Sequence, residues 1–248
     1  MIEKKLSIIL PVYNEKESLL IMVRLLNSSL NIQTEIIIVH DNLNDNSLDS
    51  AKKLAEEYDN IKIIHNDYGS GVKYAVQAGI ENAKFDIILI TAVDEIFPII
   101  SIENMLDEIV ENNKDFVSGT RYSKGGARLG GSLIGSILSK IANKIFNMLT
   151  TVPLSDCTTG IKMMKKKVWH SINLECNPIG WAFAFELSIK VYLKNFNISE
   201  LPIKSVDRLF GGSSTFKLGP WIKEYLKWFF WGIRKTYKKS NLPKNKID

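Results

Sequence analysis

Acidic side chains follow two apolar runs that are typical of buried strands. The stretch ILITAVDEIFPII contains Asp94 and Glu95, and the stretch IIIVHDNLNDNS contains Asp41 and Asp45. Because ligands of open parallel sheets usually bind at the carboxyl ends of the strands, these carboxylates are candidate ligand-binding groups. Asp41 can accept hydrogen bonds from a base or a ribose there, whereas the simpler interpretation of Asp45 is a helix N-cap.

Two other turns have residue types that suit an anionic ligand. Pro11 ends the run in ILPVYNEKESL, and a helix then opens near residues 14–17, where unpaired backbone N–H groups favour a phosphate or a carboxylate. Gly69 and Gly71 permit close backbone approach before another helix. The spacing matches neither a dinucleotide-binding GxGxxG motif nor a P-loop.

The elements that must position these residues alternate regularly along the chain. Apolar runs lie at 6–10, 35–39, 61–65, 86–90 and 115–122, and segments of helical spacing lie at about 16–30, 46–58, 70–83 and 101–113. This alternation predicts an α/β fold with a mostly parallel sheet and helices on both faces. A helix near 181–195 and a strand near 197–204 complete the body.

The segment after Gly125 predicts a helix with one apolar stripe. The stripe consists of Ile134, Ile137, Leu138, Ile141, Ile145 and Leu149, and Lys140 and Lys144 lie off it. Such a stripe packs against a protein core or, alternatively, partly faces lipid.

The C-terminal segment is strongly basic and rich in aromatic residues. Residues 217–248 contain nine Lys or Arg against two acids, a net charge of +7, so the rest of this +5 chain is slightly acidic. Pro220 is well placed to open a helix, whose aromatic residues are Trp221, Tyr225, Trp228, Phe229, Trp231 and Tyr237. Aromatic rings with cationic flanks predict a helix at an anionic membrane surface, with no role in nucleic-acid binding. A terminal helix docked on the core is the alternative.

Composition excludes several other classes of protein. The chain has 248 residues, of which 45% are hydrophobic and 24% charged, as expected for one large globular domain with an appendage. It has neither a run of about 18 apolar residues nor the core of a signal peptide, so we expect a cytoplasmic protein. Cys157 and Cys176 lack metal-site spacing and are interpreted as packing residues.

Five ordered motifs resemble those of the inverting family 2 glycosyltransferases of the GT-A fold. The motifs are SIILPVYNEKESL, DFVSGTRYSKGG, DCTTGIKMMKKKVW, GWAFAFELSIKVYLKNFNISELPI and VDRLFGGSSTFKLGPWIKEYLKW. They are most similar to the branch that transfers sugars to dolichyl or polyprenyl phosphate. The resemblance implies a GT-A domain over residues 1–205, followed by an acceptor loop and a membrane-interface helix over 206–248.

The resemblance also implies roles for individual residues. The donor-binding residues would be Pro11, Tyr13, Glu15, Val39, Asp41, Val93 and Asp94, and the catalytic residues would be Asp94, Arg121 and Arg208. Asp41 would hold the base of a UDP- or GDP-sugar, and Asp94 would bind Mg²⁺ or Mn²⁺ with the donor diphosphate. Arg208 would lie in a flexible acceptor loop, with Lys217 a weaker acceptor-site candidate.

The chain departs from the family pattern at the metal site. His40 replaces the first aspartate of the VDDGSxD motif, and Ala92 and Ile96 replace polar residues around Asp94. A single carboxylate with two donor phosphates can hold a hard divalent cation, but we expect a weak site. Glu95 can reach the same ion only if the chain turns there, because adjacent residues on a strand point to opposite faces.

Three functions fit these residues. Transfer of a sugar to a lipid phosphate at the inner face of the membrane needs no strong base, because the acceptor oxygen is already anionic. Transfer to a saccharide hydroxyl would need one, and the candidates are Asp156 and Glu95. The third function is that of a non-catalytic relative that binds a membrane or a protein partner.

Overall fold

The computed structural model describes residues 4–130, 133–207 and 218–240. Strands in these segments are β1 (Lys5–Pro11), β2 (Gln33–His40), β3 (Ile61–His65), β4 (Ile87–Ile90), β5 (Phe116–Thr120), β6 (Ala127–Gly130), β7 (Lys162–Lys165), β8 (Ile198–Pro202) and β9 (Lys204–Asp207). Helices are α1 (Lys16–Ser29), α2 (Ser47–Glu57), α3 (Val72–Glu81), α4 (Ile102–Val110), α5 (Leu133–Leu149), α6 (Lys166–Ser171), α7 (Ala182–Leu193) and α8 (Leu218–Ser240).

Seven strands form the central sheet in the order β3-β2-β1-β4-β7-β5-β8. All neighbours pair in parallel except β7, which is antiparallel to both β4 and β5. The prediction of a mostly parallel sheet is therefore confirmed. The sequence interpretation missed β7 and the separate pair of β6 and β9, which lie in parallel.

Helices cover both faces of this sheet, as predicted. One face packs Leu19 of α1 and Leu54 of α2 against strand residues such as Ile8, and the other packs Val76 of α3 and Phe183 of α7. Strands β1, β2 and β4 are apolar on both faces because helices bury both. The connecting helices α1, α2 and α4 lie in one layer, and α3 and α7 lie in the other.

The strand order reverses at β1, which lies between β2 and β4. The carboxyl ends of these three parallel strands open onto one edge of the sheet, where the loops after Pro11, His40 and Ile90 meet. A ligand crevice is expected at such a reversal. Asp41, Asp45, Asp94 and Glu95 lie in these loops, whereas Asp156 lies between α5 and β7.

Helix α5 turns its apolar stripe outward, so the expectation that this stripe packs on the core is wrong. The exposed stripe residues are Ile137, Leu138, Ile141, Ile145 and Leu149, between 43% and 54% accessible, and Met148 is 75% accessible. Its inner face instead buries Asn143 and Phe146. The side chain of Ile134 lies outside the described residues.

Helix α8 docks on the core through most of its aromatic residues, which is the alternative considered for it. Trp228 is buried, and Tyr225, Phe229 and Trp231 pack against the same core cluster. Its opposite face exposes Ile222, Leu226 and Phe230, together with lysines and arginines. Within the three described segments, no helix combines the length and hydropathy that a bilayer span requires.

Polar contacts also hold α8 to the loop that precedes α7. Glu224 accepts hydrogen bonds from the backbone and side-chain nitrogens of Asn177, at 3.0 and 2.7 Å, and from Trp228 at 2.9 Å. Burial opposes ionisation, yet these bonds keep the pKa of the Glu224 carboxyl below its usual range. Gly180, at φ 49°, lies directly under the ring of Trp221.

Replacing Gly180 by alanine should loosen α8. The new Cβ would lie 2.0 Å from the Trp221 ring, and the left-handed backbone adds strain. We expect a loss of roughly 2 kcal/mol of unfolding free energy and faster hydrogen exchange in α8. Gly219→Ala is the matched control, because no atom lies within 4 Å of its Cβ position. Equal exchange in both variants would contradict this account of docking.

Candidate active site

One large cavity of about 1600 Å³ opens at the edge of the sheet where β1, β2 and β4 end. Its lining includes Tyr13, Asp41 and Asp94 from the loops at the sheet edge, together with Arg121 and Arg128. Apolar side chains of α5 and α8 also line it. The cavity thus joins carboxylates, cations and an apolar groove in one continuous space.

The turn between β1 and α1 is held by Asp45. This carboxylate accepts the backbone N–H of Asn14 at 3.0 Å and that of Ser47 at 2.8 Å. The Ser47 hydroxyl in turn accepts the N–H of Glu15 at 2.8 Å. Asn46 occupies the N-cap position that the sequence predicted for Asp45, but Asp45 does bind the first backbone N–H of α2. Asp45 also sets the position of Tyr13 and Glu15 at the cavity.

Asp41 lies in the cavity with one carboxylate oxygen already engaged. Its Oδ2 accepts the N–H of Gly71 at 2.8 Å. Gly71 has φ 119°, and a Cβ there would lie 2.8 Å from the carbonyl oxygen of Pro178. Only glycine can adopt this φ and pass so close to Pro178 without strain. The sequence predicted such a close backbone approach at Gly71.

Two residues near Asp41 face the interior. Val39 is fully buried against Gly79 and does not line the cavity, and its place among the donor-binding residues stays a prediction. His40 is also buried, with Nδ1 3.1 Å from the Asn42 carbonyl oxygen and its ring against His65. Its role here is packing.

Asp94 and Glu95 both line the cavity, together with Val93 and Ala92. The chain turns after β4, and the N–H of Glu95 points to the carbonyl oxygen of Ala92 at 3.4 Å. This is the turn that allows neighbouring carboxylates to share one space. In the described residues, no three His, Cys, Asp or Glu side chains gather as a metal site. The pair fits Mg²⁺ or Mn²⁺ only when phosphate oxygens complete the shell.

Arg121 and Asp156 form a buried ion pair beside the cavity. Arg121 Nε donates to Asp156 Oδ2 at 2.7 Å, and Nη2 donates to Oδ1 at 3.0 Å. Asp156 is fully buried and also accepts the backbone N–H groups of Thr158 and Thr159. Although burial opposes both charges, each partner keeps the other ionised, so the pKa of Asp156 is lowered and that of Arg121 is raised.

These contacts argue against Asp156 as a catalytic base. Its carboxylate does not line the cavity, and a lowered pKa makes it a poor proton acceptor. Asp156 instead orients Arg121, whose Nη1 makes no hydrogen bond within the described segments. Arg121 itself lines the cavity and can present Nη1 to an anion there.

Sequence patterns did not predict some residues of the site, and two residues that they did predict fall outside the described segments. Arg128, on β6, lines the cavity, as do Ser139 and Thr158. One pattern in the sequence could have indicated a polar face on α5. Ser139, Asn143 and Asn147 recur every four residues, opposite the apolar stripe. Arg208 and Lys217 lie outside the described residues.

Asp156→Asn should destabilise the protein strongly. It leaves the buried guanidinium of Arg121 without a counter-charge, at an expected cost of about 3–5 kcal/mol. Because the folded-state pKa of Asp156 is lowered, its stabilisation is present above about pH 4 and is lost as the pH falls further. The free energy of unfolding, measured by urea denaturation at pH 7 and pH 3, should therefore differ less between the two pH values in the variant than in the unaltered protein.

The matched control is Glu57→Gln, because Glu57 also pairs with an arginine, Arg24, but in solvent. It should change stability far less than the Asp156 variant. Similar losses in the two variants would contradict the importance of the buried pair.

Comparison with known proteins agrees with this site. The sequence profile described as Glycosyl transferase family 2 matches residues 7–172. The chain is 28% identical over 228 residues to a dolichol-phosphate mannosyltransferase of Pyrococcus furiosus, covering 90% of this chain and 62% of that protein. It is 27% identical over 233 residues to a polyprenol monophosphomannose synthase of Mycolicibacterium smegmatis, covering 92% and 86%. The chain thus spans only about three fifths of the Pyrococcus protein.

Solved structures share the fold. Glucosyl-3-phosphoglycerate synthase from Mycobacterium tuberculosis, in complex with Mn²⁺, UDP-glucose and phosphoglyceric acid, superposes with a TM-score of 0.70 at 13% identity. The alignment covers 93% of this chain and 80% of that chain. The expected GT-A fold is confirmed by this similarity. Because the family profile extends over more than half of the chain, the protein belongs to glycosyl transferase family 2.

Proposed function

We propose that the protein transfers a sugar from a UDP- or GDP-sugar to a polyprenyl phosphate at a membrane surface, with inversion at the sugar. The observation that carries this proposal is that acidic loops, Arg121 and apolar side chains of α5 and α8 line one cavity. These are the groups that a metal-bound nucleotide diphosphate, a phosphate and a lipid chain would each require. The two relatives named above are a dolichol-phosphate mannosyltransferase and a polyprenol monophosphomannose synthase, which supports this acceptor class.

The donor would occupy the acidic part of the cavity. Asp41 has a carboxylate oxygen beyond the one that binds Gly71, and it can accept an N–H of the base. Asp94 and Glu95 would hold Mg²⁺ or Mn²⁺ together with the donor diphosphate. The cation, when bound, supplies positive charge against the leaving diphosphate. A solved structural neighbour contains Mn²⁺ and UDP-glucose, which supports this arrangement.

The acceptor phosphate would lie next to Arg121. A phosphate monoester is anionic at neutral pH, so its oxygen can attack the sugar carbon without a general base. As that bond forms, the bond to the diphosphate breaks and negative charge moves to the leaving group. Arg121 would orient the acceptor, and Arg208 would be a second cation. The burial of Asp156, and its lowered pKa, agree with a reaction that needs no base from this residue.

The lipid chain would follow the apolar groove between α5 and α8. Leu138, Ile141 and Ile145 from α5 face Ile222 and Leu226 from α8 in this part of the cavity. Lys140 and Lys144 flank the α5 stripe, as the lysines of α8 flank its outer residues. Exposed apolar side chains with cationic neighbours suit the interface of an anionic membrane. We place the protein at the inner, cytoplasmic face.

Transfer to a saccharide hydroxyl is the second candidate function. One observation favours it, since Glu95 lines the cavity beside Asp94 and could accept the hydroxyl proton. In that case Glu95→Gln should abolish turnover but leave donor affinity intact. With a lipid phosphate acceptor, the same change should chiefly raise the metal concentration that the reaction requires.

Purified protein should transfer labelled sugar to undecaprenyl or dolichyl phosphate from at least one donor in a panel of UDP- and GDP-sugars. Asp94→Ala should lower kcat about 100-fold, because the cation that offsets the leaving-group charge is held less well. Asp59→Ala, which removes an exposed carboxylate of the α2–β3 loop, is the control and should act like the unaltered protein. Absence of labelled lipid with every donor would refute the proposed acceptor.

The membrane surface can be tested separately by vesicle flotation. Ile141→Glu and Phe230→Glu should each reduce binding to phosphatidylglycerol vesicles about tenfold, because each removes apolar contact and adds a like charge. Added salt should weaken binding of the unaltered protein. Leu25→Glu is the control, since Leu25 is exposed on α1, in the helix layer on the other face of the sheet. Equal binding of all three variants would disprove this surface.

A further inference from the structure

The buried face of α5 contains a polar residue beside an aromatic one. Asn143 is only 3% accessible, as is expected of the neighbouring core residue Phe146 but not of an amide. Its Nδ2 donates to the Thr158 hydroxyl at 2.9 Å and to the Ser139 carbonyl oxygen at 2.9 Å. Its Oδ1 accepts the N–H of Cys157 at 2.9 Å. Asn143 therefore binds the turn that contains Asp156.

The Thr158 hydroxyl connects Asn143 to Arg121. Its oxygen lies 3.0 Å from Arg121 Nη2 and 2.9 Å from Asp156 Oδ1. Arg121 and Asn143 can only donate through these nitrogens, so the hydroxyl proton is left for an acceptor, and the Asp156 carboxylate at 2.9 Å is nearer than the Ser139 hydroxyl at 3.3 Å. Four charged or polar partners thus surround the hydroxyl. A shift of Asn143 would therefore move the Thr158 hydroxyl, which accepts a hydrogen bond from the guanidinium of Arg121.

This arrangement links two functional parts of the molecule. One face of α5 forms the apolar wall of the cavity, and the other face is hydrogen-bonded to the support of Arg121. A buried ion pair is sensitive to small changes in geometry, because its charges have lost their hydration. The position of α5 and the position of the guanidinium are therefore coupled.

We propose that Asn143 is a positioning residue, which acts through Thr158 to hold Arg121 in place for the anionic group of the acceptor. The proposal rests on the proposed function, since it assigns Arg121 to the acceptor. Asn143 belongs to the cavity lining, and its amide is engaged by Ser139, Thr158 and Cys157. It makes the apolar helix and the acceptor-binding arginine one rigid unit.

Asn143→Ala should lower kcat/KM for the lipid phosphate roughly tenfold, because a displaced guanidinium orients the acceptor poorly. KM for the sugar nucleotide should stay within about twofold of the unaltered value, since no donor-side residue is touched. Asn147→Ala is the matched control on the same helix. Asn147 donates to the carbonyl oxygens of Val152 and Leu154, with no contact to Thr158.

Two further variants keep the test decisive if Asn143→Ala folds poorly. Thr158→Val removes only the bridging hydroxyl and should reproduce the tenfold loss. Thr158→Ser keeps this hydroxyl and should have the activity of the unaltered protein. In an Arg121→Lys background, Asn143→Ala should add less than a twofold loss, because the residue through which it acts has already been changed. If Asn143 had a purely structural role, the loss of kcat/KM in the double variant would equal the product of the losses in the two single variants.

The outcomes separate the two proposals. If the unaltered protein labels lipid but Asn143→Ala behaves like Asn147→Ala, or its loss multiplies with that of Arg121→Lys, the positioning role is overturned and the function stands. If the unaltered protein labels no lipid phosphate, both are overturned. Selective loss in Asn143→Ala and Thr158→Val, with recovery in Thr158→Ser, supports the role.

Discussion

The buried ion pair of Arg121 and Asp156 is the interaction on which the site depends. Taking both charges out of water costs several kcal/mol for each ion, and their attraction offsets this only in good geometry. The ion pair therefore requires fixed relative positions of three elements, which are the end of β5, the turn at 155–158 and α5. This requirement explains why polar residues occupy the inner face of α5, where an apolar face would ordinarily be expected.

The donor side is organised by a different principle. Asp45 fixes the β1–α1 turn through backbone N–H groups, and Asp41 does the same for the loop at Gly71. These bonds join parts of the chain to one another, so the fold itself holds the acidic loops in place for a ligand. The carboxylates at 94 and 95 and the cations at 121 and 128 line one cavity. Charges of both signs suit the binding of a metal ion and of phosphate groups.

Helices α5 and α8 give the molecule its apolar outer surface in two distinct ways. Helix α5 exposes its stripe, and its inner face packs Phe146 and makes the hydrogen bonds of Asn143. Helix α8 packs four aromatic rings against the core and is anchored by Glu224, yet it still presents Ile222 and Phe230 outward beside cations. Both helices also form the walls of the cavity. The exposed apolar surface and the apolar wall of the cavity are therefore continuous.

Local patterns in the sequence determined the strand–helix alternation, the parallel core and the acidic loops at its edge, because burial on both faces requires continuous apolar runs. The five motifs likewise pointed to the family and the GT-A fold. Tertiary structure alone decided that β7 runs antiparallel, that Asp156 supports Arg121, and that Asp94 and Glu95 turn into one cavity. It also decided which face of α5 is buried. Each of these depends on partners distant in the chain, and an apolar stripe carries no information on whether its neighbour is protein or lipid.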